Sequence, residues 1–162
     1  MHFLHPREIL DVGCGSGVLL KSLDKKNIKV YGVDVSKEAL NNIPENLRKN
    51  TKVGTIQKLP YPDKAFETVV CVDVLEHIPE SDIQESIQEC SRVAREKIYF
   101  DITCLEDILF IHSDNTHVSK FSTFKWGKIL RDYLDESWVL RRCPILPFIH
   151  HASFYAIKKN VK

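Results

Sequence analysis

No stretch of this sequence approaches the roughly 18 consecutive apolar residues of a membrane-spanning helix. Val69 to Val72 and Ile108 to Ile111 are typical of its apolar runs. The opening Met-His-Phe-Leu-His-Pro-Arg-Glu has neither the basic flank nor the apolar stretch of a secretory signal. An excess of one charge is missing too: 23 Lys and Arg stand against 22 Asp and Glu, a formal net charge of +1. Without a basic block there is no electrostatic footprint for non-specific nucleic-acid binding. Paired cysteines are also lacking. The five stand at 14, 71, 90, 104 and 143, with no Cys-x-x-Cys and no His-x-x-x-His beside them. That disfavours a disulfide framework or a structural zinc site and fits thiols in a reducing cytoplasm. What remains is an ordinary globular mixture, 43% hydrophobic and 28% charged over 162 residues. It is enough for one domain, residues 1–162, that buries about 70% of its unfolded surface. A small-molecule partner is expected.

The apolar patches alternate in type. Ile9 to Val12 reads as a buried strand, and Leu19, Leu20 and Leu23 follow at helical spacing. Ile28 to Val33 is a second strand. Ser36 caps a helix carrying Ala39, Leu40 and Ile43, which Pro44 ends. A brief strand near Lys52 to Thr55 precedes a turn-rich segment, and Thr68 to Val72 reads as a strand covered on both faces. Ser81 and Gln84 match a capping box, before a stripe of Ile83, Ile87, Cys90 and Ala94. Lys97 to Thr103 is the next strand. Ser122 caps the last helix, with Trp126, Ile129, Leu130, Tyr133 and Leu134 on one side, and Trp138 to Cys143 and Ser153 to Ile157 close the chain as strands. Such alternation predicts a parallel α/β sheet wound by right-handed crossovers.

The densest chemical signal is Asp11-Val12-Gly13-Cys14-Gly15-Ser16-Gly17, between the first strand and the first helix. Alternate glycines let the backbone turn sharply and meet a ligand without Cβ interference. The helix after them offers N–H groups to a carboxylate or phosphate. Dinucleotide binders use Gly-x-Gly-x-x-Gly, but position 18 is Val, which argues against a nicotinamide oxidoreductase. Asp34 ends the second strand, where a carboxylate can accept from a ribose diol; capping the helix after Ser36 is its structural alternative.

At these residues the sequence resembles the class I S-adenosylmethionine-dependent methyltransferases, with closest likeness to a small-molecule group that includes ubiquinone-biosynthesis C-methyltransferases. Four ordered stretches carry it: Ile9 to Gly17, Tyr31 to Ser36, Gly54 to Pro62, and Cys71 to Ile78. After residue 100 only Thr116-His117-Val118, Phe121-Ser122 and Trp126 contribute. The resemblance implies a Rossmann-like, doubly wound seven-stranded sheet of order 3-2-1-4-5-7-6, with strand seven antiparallel. It implies S-adenosyl-L-methionine as cofactor, with Asp11, Gly13, Cys14, Gly15 and Gly17 toward the methionine part and Asp34 and Val35 at the ribose. The backbone around Thr55 and Ile56 then meets the adenine, and the segment from Val72 to His77, Asp73 included, lines the floor near the sulfonium. Thr55 stands where an aspartate is common, which weakens one bond to the adenine by about 1 kcal/mol. Only about seven residues precede the first strand, where the family carries a covering helix. The expectation is a truncated form, a lid lent by a partner or a homodimer, or else a non-catalytic cofactor-binding subunit that stabilises or regulates another protein.

Methyl transfer needs in-line placement and exclusion of water, together worth roughly 7–11 kcal/mol, and a base only for some acceptors. His77, past the fourth strand, is a base or a wall residue. His117 is the first choice on the acceptor side. His112 and Asp114 share its loop, but loop spacing fixes no ligand geometry, and no metal is expected. Asp73 either favours the sulfonium electrostatically or caps the following turn. Leu105, Ile108, Leu109 and Phe110 suit a lid or core, and Pro144 to Ile149 an apolar wall or ordinary packing. Arg141-Arg142 and Lys158-Lys159 read as solvated faces.

Overall fold

The computed structural model describes residues 6–104, 116–143 and 151–159. At its centre β1 (Glu8–Val12) pairs in parallel with β2 (Lys29–Asp34) on one side and β4 (Phe66–Val72) on the other. β3 (Thr51–Val53) extends the sheet beyond β2, and β5 (Ala94–Thr103) beyond β4. β7 (His151–Lys158) runs antiparallel between β5 and β6 (Trp138–Arg142). The order β3-β2-β1-β4-β5-β7-β6 is the one expected. The strands are added outward in one direction from β1 to β3 and in the other from β4 onward, and the loops after β1 and β4 meet at that switch point.

Alternation along the strands makes two layers of core. Leu10, Val12, Val69, Cys71, Ile98 and Phe100 face one way. There they meet Ile87 and Cys90 of α4 (Ile83–Val93) and Trp126 and Leu130 of α5 (Thr123–Tyr133). Each such side chain contributes about 1.5–3 kcal/mol by leaving water. On the other face Val30 packs with Leu20 of α1 (Val18–Asp24), Leu40 of α2 (Lys37–Asn41) and Leu47 of α3 (Glu45–Arg48). All five cysteines are thiols, and no described helix is long and apolar enough to cross a membrane.

The caps test the local reading. The Ser36 hydroxyl accepts from the Ala39 N–H at 3.1 Å, and the Ser122 hydroxyl from the Lys125 N–H at 3.2 Å, as expected. The capping box at Ser81 and Gln84 does not form. Pro79 opens a 3-10 turn over Glu80–Asp82, so the chain enters α4 through Asp82, and Ser81 donates to the Asp82 carboxylate at 2.7 Å instead. Ala94 leaves the helical stripe and opens β5, buried all the same. Pro44 does more than end a helix: it is the N-cap of α3, which the pattern missed. Leu105, Ile108, Leu109, Phe110, His112 and Asp114, with Pro144 to Ile149, lie outside the described residues.

Candidate functional site

Gly13, Gly15 and Gly17 all adopt positive φ, at 78°, 50° and 75°, and this is why the loop after β1 needs glycine. Gly13 has a second reason. Asp73, itself at φ 52°, turns the chain out of β4, and a Cβ on Gly13 would collide with the Val74 Cγ2 that follows. Gly15 differs: beyond its chain neighbours, no protein atom lies within 4 Å of where its Cβ would stand. A side chain at position 15 would therefore stand in open space.

Most amides of the glycine loop itself are bonded within the chain. Gly13 and Cys14 both donate to the Val33 carbonyl, at 2.8 and 3.1 Å, and Gly17 donates to Cys14 at 2.8 Å. Gly15 donates to Asp34 Oδ2 at 2.8 Å. Tight turning consumes them, and the loop contributes shape more than charge. Cys14 turns its thiol into the second core, where burial raises its pKa to about 12. Only its backbone is left to face a ligand.

Asp34 joins two elements. Its other oxygen accepts from the Ser36 N–H at 2.8 Å, so one carboxylate clamps the glycine loop to the entry of α2. Each oxygen keeps a further lone pair, so the clamp and a diol contact are compatible. Asp11 is 4% exposed beside it, and its pKa is pushed up to about 7, first by burial and then by the Asp34 charge.

Between these elements lies a cavity of about 410 Å³. Gly13, Asp34, Val35, Thr55, Ile56, Asp73 and His77 line it, seven of the expected residues in one place. Val74, inside the expected floor segment, lines it as well, and so do Gln57 and Ile78, which sequence reasoning did not single out. Val72 is not among them. Its side chain lines a separate groove on the α1 face, with Ile9, Val70 and Tyr99, because period-two alternation turns it away from Cys71.

Beyond the cavity floor the turn Leu75–His77 holds the acceptor-side candidates. The Glu76 carbonyl accepts from Val118 and Ser119, both at 2.9 Å, and so brings His117 beside His77 with ring centroids 4.7 Å apart. His77 Nδ1 lies 3.1 Å from the Thr116 carbonyl. A carbonyl can only accept, so Nδ1 carries the proton and Nε2 keeps the lone pair. Glu76 is 1% exposed: Oε1 accepts from the Thr103 N–H at 2.8 Å, while Oε2 is buried without a hydrogen-bond partner. Burial raises its pKa.

Residues 10–100 match the Methyltransferase domain family. The chain belongs to that family. Its likeness to the ubiquinone biosynthesis O-methyltransferase of Colwellia psychrerythraea is 32% identity over 130 residues, 68% of this chain and 52% of that protein. The chain thus spans about half the length of the curated relatives it matches. These are oxygen rather than carbon methyltransferases. Two solved structures show the same methyltransferase fold. One is magnesium protoporphyrin IX methyltransferase from Synechocystis PCC 6803 with bound SAH, with a TM-score of 0.69, 20% identity, and 93% and 73% of the two chains covered. The other is the putative methyltransferase in complex with the Haloferax volcanii Trm112 methyltransferase activator, with a TM-score of 0.75, 15% identity, and 94% and 83% covered.

Proposed function

We propose that this methyltransferase-family protein moves the methyl group of S-adenosyl-L-methionine onto a hydroxyl oxygen of a small molecule. The observation that carries the reading is the glycine loop clamped by Asp34, with open space above Gly15 at the sheet's switch point. The neighbouring cavity fits the cofactor: its lining of the Asp34 carboxylate, glycine backbone and apolar Val and Ile side chains suits a nucleoside with a short charged tail. Asp34 would hold the ribose, and Thr55, Ile56 and Gln57 the adenine. Asp11, Gly13 and Gly15 would face the methionine part, with the Cys14 and Gly17 backbone shaping the turn. When bound, the cofactor supplies an electrophilic methyl carbon, which gains a bond from the acceptor oxygen as its bond to sulfur breaks and the electron pair stays on sulfur.

The chain's own residues place the acceptor and manage its proton. Asp73 and Val74 form the floor over which the two ligands meet. His77 Nε2 or His117 takes the hydroxyl proton and releases it to solvent. Oxygen as the acceptor atom is favoured by the relatives' names. A protein partner that completes the acceptor wall is part of the proposal, supported by the activator complex of the Haloferax neighbour, and reduced thiols fit a cytoplasmic setting. The test is transfer of labelled methyl from S-adenosylmethionine to phenolic and catecholic acceptors. Label in an ether product supports the reading. Tight cofactor binding with no transfer, alone or with cell extract, would replace the enzyme by a non-catalytic cofactor-binding subunit.

A further inference from the structure

We infer that the outer edge of β6 is a pairing surface, on which a second copy of this chain adds its own β6 antiparallel to the first. β6 ends the strand order, and no described strand lies beyond it. Its register with β7 runs unbroken from Trp138↔Lys158 to Arg142↔Phe154. Just past the two ends, Lys159 donates to the Ser137 carbonyl at 2.7 Å and Cys143 donates to the Ser153 carbonyl at 2.9 Å. Odd-numbered residues of the strand therefore direct their N–H and C=O groups toward β7, and even-numbered ones direct theirs outward. The Trp138 N–H turns back to the Asp135 carbonyl at 3.1 Å. The Leu140 and Arg142 N–H groups, with the Trp138 and Leu140 carbonyls, are left facing outward for a further strand.

Charge and register select a second copy as the occupant. Paired residues share a face of the sheet, so a two-fold axis must set one residue of β6 opposite its own copy. Centred on Val139, the pairing sets Arg142 opposite Glu136 of the second copy, Arg141 opposite Ser137 and Leu140 opposite Trp138. Symmetry makes each of these contacts occur twice. Centred on Leu140, the arginines meet Trp138 and Val139 instead, and centred on Trp138, Leu140 meets Glu136. Glu136 and Arg142 are both exposed, and neither has an ion pair or a hydrogen bond among the described residues. The edge arginines thus oppose their own copy in one register and accept it in another.

Shape agrees with the Val139 centre. At the end of β6, Phe124, Arg131, Arg142 and Phe154 line a cavity of about 380 Å³, and the Phe124 ring is 84% exposed. At the start of the strand, Leu134, Asp135, Glu136, Trp138 and Lys159 line another of about 410 Å³, which Arg131 also borders. An antiparallel pair lays the end of one β6 beside the start of the other, so each exposed phenyl ring and its guanidinium face the apolar and acidic wall of the second copy. The cofactor cavity lies across β4, β5 and β7 from this edge, so pairing leaves it open. The inference therefore stands apart from the methyl-transfer reading.

Sedimentation of the full chain from about 1 µM to about 100 µM should show a monomer passing into a dimer. Arg142→Glu and Glu136→Arg each set like charges together twice over, and each should weaken the dimer by about tenfold or more. Mixing the two variants sets opposite charges together again and should restore it, as should Glu136→Arg and Arg142→Glu joined in one chain. Circular dichroism checks that the variants fold. If one does not, Arg142→Pro carries the test, because it removes an outward N–H and leaves the bonds to β7 in place. Amide exchange gives a second readout: the Leu140 and Arg142 amides should slow as concentration rises, while Val139 and Arg141 stay unchanged. A chain that remains monomeric at about 100 µM overturns the inference. So does a dimer that neither charge variant weakens, or one that the exchange of charges fails to restore.

Discussion

Replacing Asp11 by Asn isolates the cost of a carboxylate buried at the switch point. Its pKa stands near 7 in the folded chain against an ordinary 3.8, because burial and the Asp34 charge both disfavour ionisation. An acid whose folded pKa is raised weakens the fold as pH climbs between the two values, since the unfolded chain gives up its proton first. At about 1.36 kcal/mol per unit, the full shift costs about 4 kcal/mol above pH 7 and vanishes below about pH 4. Between pH 5 and pH 8 the cost grows from about 1.7 to about 4.3 kcal/mol. Asn keeps the shape and does not titrate. Asp11→Asn should therefore gain about 2.5 kcal/mol on the native chain between those two pH values, whatever its offset from lost hydrogen bonds. Urea unfolding of both proteins at each pH measures it. A difference between the proteins that stays constant within about 0.5 kcal/mol would refute the buried, largely protonated carboxylate.

Asp34→Ala should weaken S-adenosylhomocysteine binding by about 1.5–3 kcal/mol, read by calorimetry, and a 2′-deoxyribose analogue should be less affected. Equal losses would mean that Asp34 acts only by clamping Gly15 and Ser36. Gly15→Val should leave a folded sheet, because its Cβ meets no protein, yet abolish cofactor binding; φ +50° adds about 1 kcal/mol of strain. Gly13→Ala should instead lower the melting temperature by several degrees, because its Cβ meets Val74. Arg92→Ala should destabilise by about 1.5–3 kcal/mol in urea unfolding, since its guanidinium binds Glu89, Asp63 and the Leu59 and Tyr61 carbonyls at once. A loss below about 0.5 kcal/mol would mark those contacts as solvent-screened.

The elements were legible because the local signals agreed, whereas the strand order came from the resemblance to the methyltransferases. Period-two runs, glycine turns and the Ser36 and Ser122 caps all pointed to one alternation of strand and helix. The glycine loop was legible for a related reason: positive φ leaves glycine little competition at 13, 15 and 17. Side-chain direction was less so. Cys14 lies in the glycine motif, yet its thiol fills the space beside Gly32, where a Cβ would come within 2.6 Å of the sulfur. Val72 borders the floor segment but alternates to the far face. The approach of His117 to His77 could not be read from spacing, because 40 positions separate the two histidines and hydrogen bonds between their loops, at the Glu76 and Ile78 carbonyls and at His77 Nδ1, bring them together. Local pattern gives the elements, whereas a contact between two loops exists only after the sheet has placed them.

The central claim is that the cavity at the switch point is built for the adenosyl cofactor of methyl transfer, and calorimetry tests it most directly. S-adenosylhomocysteine and S-adenosylmethionine should each bind at one site per chain, while NADH should give no heat under the same conditions. Binding of NADH in preference, or silence from both adenosyl compounds at millimolar concentration, would contradict it.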